Sequence, residues 1–227
     1  MRGMTSRAGA RIAALLLPAA LLLPTAAFAQ TASYDDGAGD AEALNVGATL
    51  GELIGGAPTE GPFFLDAPAE TSTDIVRTTI DHATKRLTLT VQFRELVDVE
   101  EHSVEFRLFT PRVRYLLNVG MSGGRTEADL VLMGFRGNGT YHANRDPLQP
   151  CRSVRARYDL AASTLTTSVP TACIGAQKWV QVAALATRFK VTPLEDGSAN
   201  LAGYADDAFR GGVSLKSKGR SPKIRRG

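Results

Sequence analysis

Four acidic residues crowd a glycine-rich stretch: Asp35, Asp36, Asp40 and Glu42 flank Gly37 and Gly39. Carboxylates are hard oxygen ligands, and a glycine-rich loop lets several of them turn toward one point. That combination suits calcium, with Asp36 and Asp40 as the metal ligands. The spacing is not that of an EF-hand loop, and the alternative is a solvated acidic turn. A second pattern, Gly120-Met121-Ser122-Gly123-Gly124, matches the G-x-S-x-G of serine hydrolases. That chemistry needs a strained strand-to-helix elbow. Arg125 to Met133 reads instead as a further strand, so the glycines predict a hairpin turn with positive φ. His82, His102 and His142 show no zinc-ligand spacing and read as surface or turn residues. No catalytic residue is assigned. Trp179 and Tyr141 are the candidate ligand-binding aromatics, as flat platforms for sugar faces, and Trp179 has packing as its alternative role.

The elements that must position these residues begin after an export signal. Arg2, Arg7 and Arg11 precede an apolar run from Ile12 to Leu23, and Ala27-Phe28-Ala29 supplies a small-residue cleavage site before Gln30. This predicts a signal peptide over 1–29 and a secreted, extracellular mature chain. Removing 29 residues from 227 leaves 198, enough for a single core. No later apolar stretch approaches a membrane span. The formal net charge of +3 is uneven. Three arginines lie in the leader and six basic residues in 216–227, so the remaining 17 basic residues face 23 acidic ones, a net of −6 for the body. A basic nucleic-acid-binding domain is therefore not predicted. The preponderance of arginine over lysine suggests a GC-rich bacterial source.

From Asp74 onward the apolar period is two. Leu87, Leu89, Val91 and Phe93 alternate with Thr88, Thr90, Gln92 and Arg94, and similar runs follow through Phe106, Tyr115, Leu130, Ala156, Leu165 and Val182. About eight or nine short strands separated by turns predict an all-β, antiparallel two-sheet sandwich, jelly-roll-like. Gly137-Asn138-Gly139 signals one of the hairpins. The organisation read from this is a signal peptide (1–29), a Gly/Ala/Pro-rich leader that is partly packed (30–73), a sandwich (74–215) and a basic disordered tail (216–227). Leu44, Leu50, Leu53 and Ile54 in the leader could line one side of a short helix. Cys151 and Cys173 form the expected disulfide. Placing Ala156 and Tyr158 opposite Thr167 and Leu165 leaves Arg155 and Arg157 facing outward. It also brings Cys151 within one residue of Cys173, with Pro170 ending the strand.

Asp36-Gly37-Ala38-Gly39-Asp40, the strand opened by Thr73-Asp74-Ile75, the alternating Leu87–Leu96 run and Val169 to Gly175 followed by Trp179-Val180 form an ensemble. Over residues 35–187 it resembles small secreted bacterial β-sandwich proteins of unassigned function. More distantly it is similar to DOMON-type sandwiches and family 9 carbohydrate-binding modules. An export signal and a sandwich without a catalytic constellation predict a non-catalytic binding module for a cell-surface or matrix component such as a polysaccharide, with no cofactor expected beyond calcium on the acidic loop. Two alternatives accompany it. One is a secreted hydrolase using Ser122. The other is an envelope-associated structural or interaction protein whose basic tail docks on an anionic polymer.

Overall fold

Strict alternation decides which side of each strand is dry. Leu87, Leu89 and Val91 are wholly buried, whereas Thr88, Thr90 and Gln92 between them reach solvent. The computed structural model describes residues 30–45, 63–97, 101–135, 151, 153–195, 199–214 and 217–227. These form β1 (Gln30–Asp35), β2 (Glu42–Leu44), β3 (Phe64–Asp66), β4 (Ile75–His82), β5 (Arg86–Phe93), β6 (His102–Phe109) and β7 (Val113–Ser122). They continue with β8 (Arg125–Phe135), β9 (Arg155–Asp159), β10 (Thr164–Pro170), β11 (Trp179–Pro193), β12 (Ala199–Asp207) and β13 (Ile224–Arg225). The fold is all-β, in two antiparallel sheets. One has five strands in the order β1-β4-β5-β10-β9. The other runs β3-β2-β12-β11-β6-β7-β8, with β13 added beside β11.

Inward side chains of both sheets merge into one apolar cluster. Ile80, Leu89 and Leu165 of the five-stranded sheet meet Phe106, Leu117 and Val182 of the larger one. Each such side chain contributes roughly 1.5–3 kcal/mol of burial. His102 and Tyr158 bridge the layers. The His102 ring stands edge-on to Phe93 and Tyr158, with centroids 5.1 Å and 5.4 Å away. Its Nε2 lies 3.0 Å from the Ser72 carbonyl oxygen, an acceptor, so Nε2 donates and Nδ1 accepts from the Tyr158 hydroxyl at 3.0 Å. His82 is also fully buried, with Nδ1 3.2 Å from the Ile224 carbonyl oxygen, and burial holds its pKa down. Both histidines thus belong to the interior, contrary to the surface or turn placement expected from sequence. His142 lies outside the described residues.

Cys151 and Cys173 are disulfide-bonded, with Cα atoms 5.9 Å apart. The expected register holds: Leu165 faces Tyr158 and Thr167 faces Ala156. Strand β10 ends at Pro170, and a single 3-10 turn over Thr171–Ile174 swings Cys173 toward Cys151. Replacing both cysteines with alanine is expected to cost about 3 kcal/mol. The urea midpoint of the double variant, compared with the oxidised protein, measures that loss.

The ends of the chain depart from expectation. Part of the 30–73 leader is built into both sheets: β1 pairs with β4, while β2 and β3 extend the larger sheet beyond β12. Leu44 sits in a strand instead of a helix; Leu50, Leu53 and Ile54 lie outside the described residues, as do residues 1–29 and the Gly137-Asn138-Gly139 turn. The basic tail is not a disordered appendage over 217–227. Beside β11, strand β12 covers Leu185–Pro193 and β13 covers Trp179–Val180. Between them Ser221 exchanges backbone and hydroxyl hydrogen bonds with Val182, at 2.8 Å and 2.9 Å. Lys218 pairs with Glu105 at 2.8 Å, Ile224 is buried, and the Gly227 N–H donates to the His82 carbonyl. A basic composition masked the two small contacts, Ser221 and Ile224, that anchor this strap.

Candidate metal centre

Three segments far apart in sequence deliver carboxylates to one place. Asp36 follows β1, and its own N–H donates to the Val76 carbonyl at 3.0 Å, which holds the loop onto β4. The chain then turns through Gly37 and Gly39 to Asp40. Gly39 has a φ of 87°, a conformation that favours glycine, and a Cβ there would press within 3.3 Å of the Arg94 guanidinium. Asp74 precedes β4. Asp206 lies on β12 opposite Ala186, on the inner face.

One ligand oxygen from each of Asp36, Asp40 and Asp206 falls within 4.8 Å of the others. The use of the remaining oxygens is consistent. Asp206 accepts from the Ile75 N–H through Oδ2 at 2.7 Å and leaves Oδ1 without a partner. Asp74 accepts the Gly39 N–H through Oδ2 at 2.7 Å, pairs with Arg94 at 3.0 Å, and leaves Oδ1 bare. Asp36 accepts from Gly37 through Oδ1 and leaves Oδ2 bare, and Asp40 Oδ1 is likewise bare. Asp74 and Asp206 are completely buried. A buried carboxylate oxygen without a partner is costly, so the three of Asp36, Asp40 and Asp206 gathered at one locus fit a ligand set.

Charge makes the same point. Burial first, then the neighbouring carboxylates, pushes Asp36 up to about 7 and Asp206 up to about 8. Burial also raises Asp40 and Asp74, with the Arg94 guanidinium partly offsetting the latter. Near neutral pH the cluster must hold either protons or a cation. With Asp74 balanced by Arg94, Asp36, Asp40 and Asp206 present three carboxylates to a divalent ion. All-oxygen ligands favour calcium or magnesium over softer metals, and a site that joins one loop to a distant strand suits the looser geometry of calcium.

Of the residues singled out in the sequence, Asp36 and Asp40 meet here. Asp35 does not, since it pairs with Arg77 at 2.6 Å on the outer face. Glu42 turns to the Val213 N–H at 2.8 Å. Asp206 was missed; its mark in the sequence is a pair of acids, Asp206-Asp207, closing a strand that otherwise reads as a plain ladder. Asp207 serves the strap, accepting the Gly219 N–H through Oδ2 at 2.8 Å. Trp179 is half-buried under the Lys223 ammonium, 4.7 Å from the ring centroid, and Tyr141 lies outside the described residues. Ser122 pairs with Arg125 across the β7–β8 hairpin, where Gly123 and Gly124 have φ of 54° and 73°. The Gly120–Gly124 motif is therefore a hairpin turn, not a strand-to-helix elbow. No helix among the described residues is long and apolar enough to cross a membrane. Compared with family models, with curated proteins and with solved structures, the chain finds no match.

Proposed function

We propose that this chain is an exported, non-catalytic binding module for a cell-surface or matrix polysaccharide, and that a calcium ion on Asp36, Asp40 and Asp206 closes its fold. The observation that carries the ion is the convergence of bare carboxylate oxygens in a buried, electronegative locus. Calcium replaces the protons that Asp36 and Asp206 otherwise retain. It ties the loop after β1 to β12, while Asp74 and the Ile75 amide fix that loop and Asp206 to the start of β4. This is a structural role, with no reaction assigned to it. The binding role is supported by the sandwich itself, by the export signal and by the hairpin geometry around Ser122. It is also supported by the two described histidines, each buried and held by a backbone carbonyl.

Titrating metal-stripped mature protein with calcium in a calorimeter tests the ion. One site per chain is expected at pH 7.5, and Asp206→Asn is expected to weaken it by at least tenfold, since removing one ligand charge leaves two carboxylates. Binding of equal strength in Asp206→Asn, or no binding to the folded wild-type chain, overturns the assignment.

A further inference from the structure

The outer face of the five-stranded sheet has an order that the core does not require. Antiparallel register aligns its outward side chains into straight rows across all five strands. The middle row reads Ser33, Thr79, Thr90, Thr166 and Arg157. The next row reads Thr31, Asp81, Thr88, Ser168 and Arg155. A third runs from Asp35 through Arg77, Gln92 and Thr164 to Asp159. None of the three contains an aromatic or aliphatic side chain. Neighbouring hydroxyls already touch, with Ser33 and Thr79 oxygens 2.8 Å apart, and each retains capacity for another bond. The result is a grid of hydroxyl groups at the strand spacing of roughly 4.8 Å.

The opposite end of this grid carries Asp81 and the Asp35–Arg77 pair, and its excess of positive charge lies at the β9 end. Arg155 and Arg157 project two residues apart, about 6.6 Å along β9. Arg86 lies beside them, held by Ser168 and by the Ser153 carbonyl. A shallow depression of about 340 Å³ opens between Arg155, Arg157, Thr164, Thr166 and Ser168. Asp159, 3.1 Å from Arg157, is its single acidic lining residue. The Arg157 side chain is 80% exposed, so its pairing with Asp159 is weak and open to competition from another carboxylate.

We propose that this face docks a linear acidic polysaccharide of the uronate type. Its carboxylates would meet Arg155 and Arg157, and its hydroxyls would lie along the Thr/Ser rows. The proposal rests on the binding-module reading above and names its ligand class. A repeating array of hydroxyls fits a repeating polymer, and many weak contacts add up along one chain. Guanidinium forks match carboxylates. A single-stranded nucleic acid fits less well, because such sites stack bases on aromatic rings and the rows offer none. The basic strap is a weaker candidate, since Lys218 is engaged with Glu105 and Lys223 with Trp179.

Affinity electrophoresis of the calcium-loaded, desalted protein through gels containing polygalacturonate, neutral β-glucan or single-stranded DNA tests this. Polygalacturonate should retard the protein at least tenfold more strongly than either other polymer. Arg155→Glu with Arg157→Glu should lower that affinity at least tenfold, while the melting curve stays in place as expected for exposed positions. Lys223→Ala with Arg225→Ala should leave retardation unchanged. Equal retardation of the double-Glu variant, or loss of retardation on altering Lys223 and Arg225, overturns the proposal. Stronger binding to neutral glucan overturns the acidic class and leaves the binding-module reading standing. Stronger binding to DNA overturns it in favour of a nucleic acid ligand. No retardation by any of the three removes both this proposal and its polysaccharide premise.

Discussion

Saturating calcium is expected to raise the melting temperature of the mature protein by roughly 8–16 °C at pH 8 and by little at pH 5. An ion at a thousand times its Kd contributes about 4 kcal/mol to the folded state, and each kcal/mol moves the melting point of a chain this size by about 2–4 °C. The pH dependence follows from the direction of the carboxylate shifts. Asp36 and Asp206 have folded pKa values of about 7 and about 8, both raised above the ordinary carboxylate range by burial first and then by neighbouring carboxylates, Asp40 and Asp74 among them. Without metal, the folded chain therefore keeps protons that the unfolded chain has released. Stability is full below about pH 4 and declines as pH climbs through 7 and 8. Calcium reverses that slope because its ligands are the ionised carboxylates. Differential scanning calorimetry in calcium and in EDTA from pH 5 to 8 reads the effect directly. Superimposable curves across that range would remove the ion from this account.

Ile224→Ala should destabilise the protein by about 2–5 kcal/mol, a fall of roughly 4–20 °C in melting temperature. Ile224 is 2% exposed and packs into the common core, although it sits three residues before Gly227 in a stretch dominated by Lys, Arg, Gly and Ser. It also brings its backbone to Val180, its carbonyl to His82 Nδ1, and its neighbour Arg225 to the Gln30 side chain through the Arg225 N–H. Lys223→Ala, at the exposed neighbouring position whose ammonium lies over Trp179, should cost under 1 kcal/mol. Chemical denaturation of both variants separates packing from charge. A melting point unmoved by Ile224→Ala would return the segment to the status of a loose tail.

The fold was legible where the two-residue period was strong. Leu87 to Phe93 and the pairing of Leu165 with Tyr158 could be placed from alternation alone, because one wet and one dry face leave a single register. Tyr115, at 4% exposure, fell on its inward phase in the same way. The ends were not legible, for a physical reason. Strand β13 is two residues long, and its stability comes from β11 and β4, not from its own sequence. Likewise β1 alternates Ala32 and Tyr34 with Thr31 and Ser33, too small an apolar signal to stand out among glycines. Two of the three carboxylates of the proposed metal site were visible, because Asp36 and Asp40 share a loop. Asp206 lies 170 residues beyond Asp36, and no local pattern reports a partner at that distance. The same holds for His82 and His102, whose polar side chains said surface while their strands placed them inside.

The carboxylates of the proposed metal centre also fix an order of events. Asp36 and Asp40 are made early, Asp206 late, and Gln30 waits for Arg225 across 195 residues. A chain synthesised from its N-terminus holds β4 and β5 long before β11 and β12 exist to cover them. Such long-range closure is slow, because the entropy of large loops must be lost before the contacts that repay it can form. A growing chain therefore stays open, and the ion has no complete seat until both sheets have met. Occupancy of the centre is then a timestamp: it marks a chain that has finished folding, and it can be read by any probe of bound calcium without looking at the sheets at all.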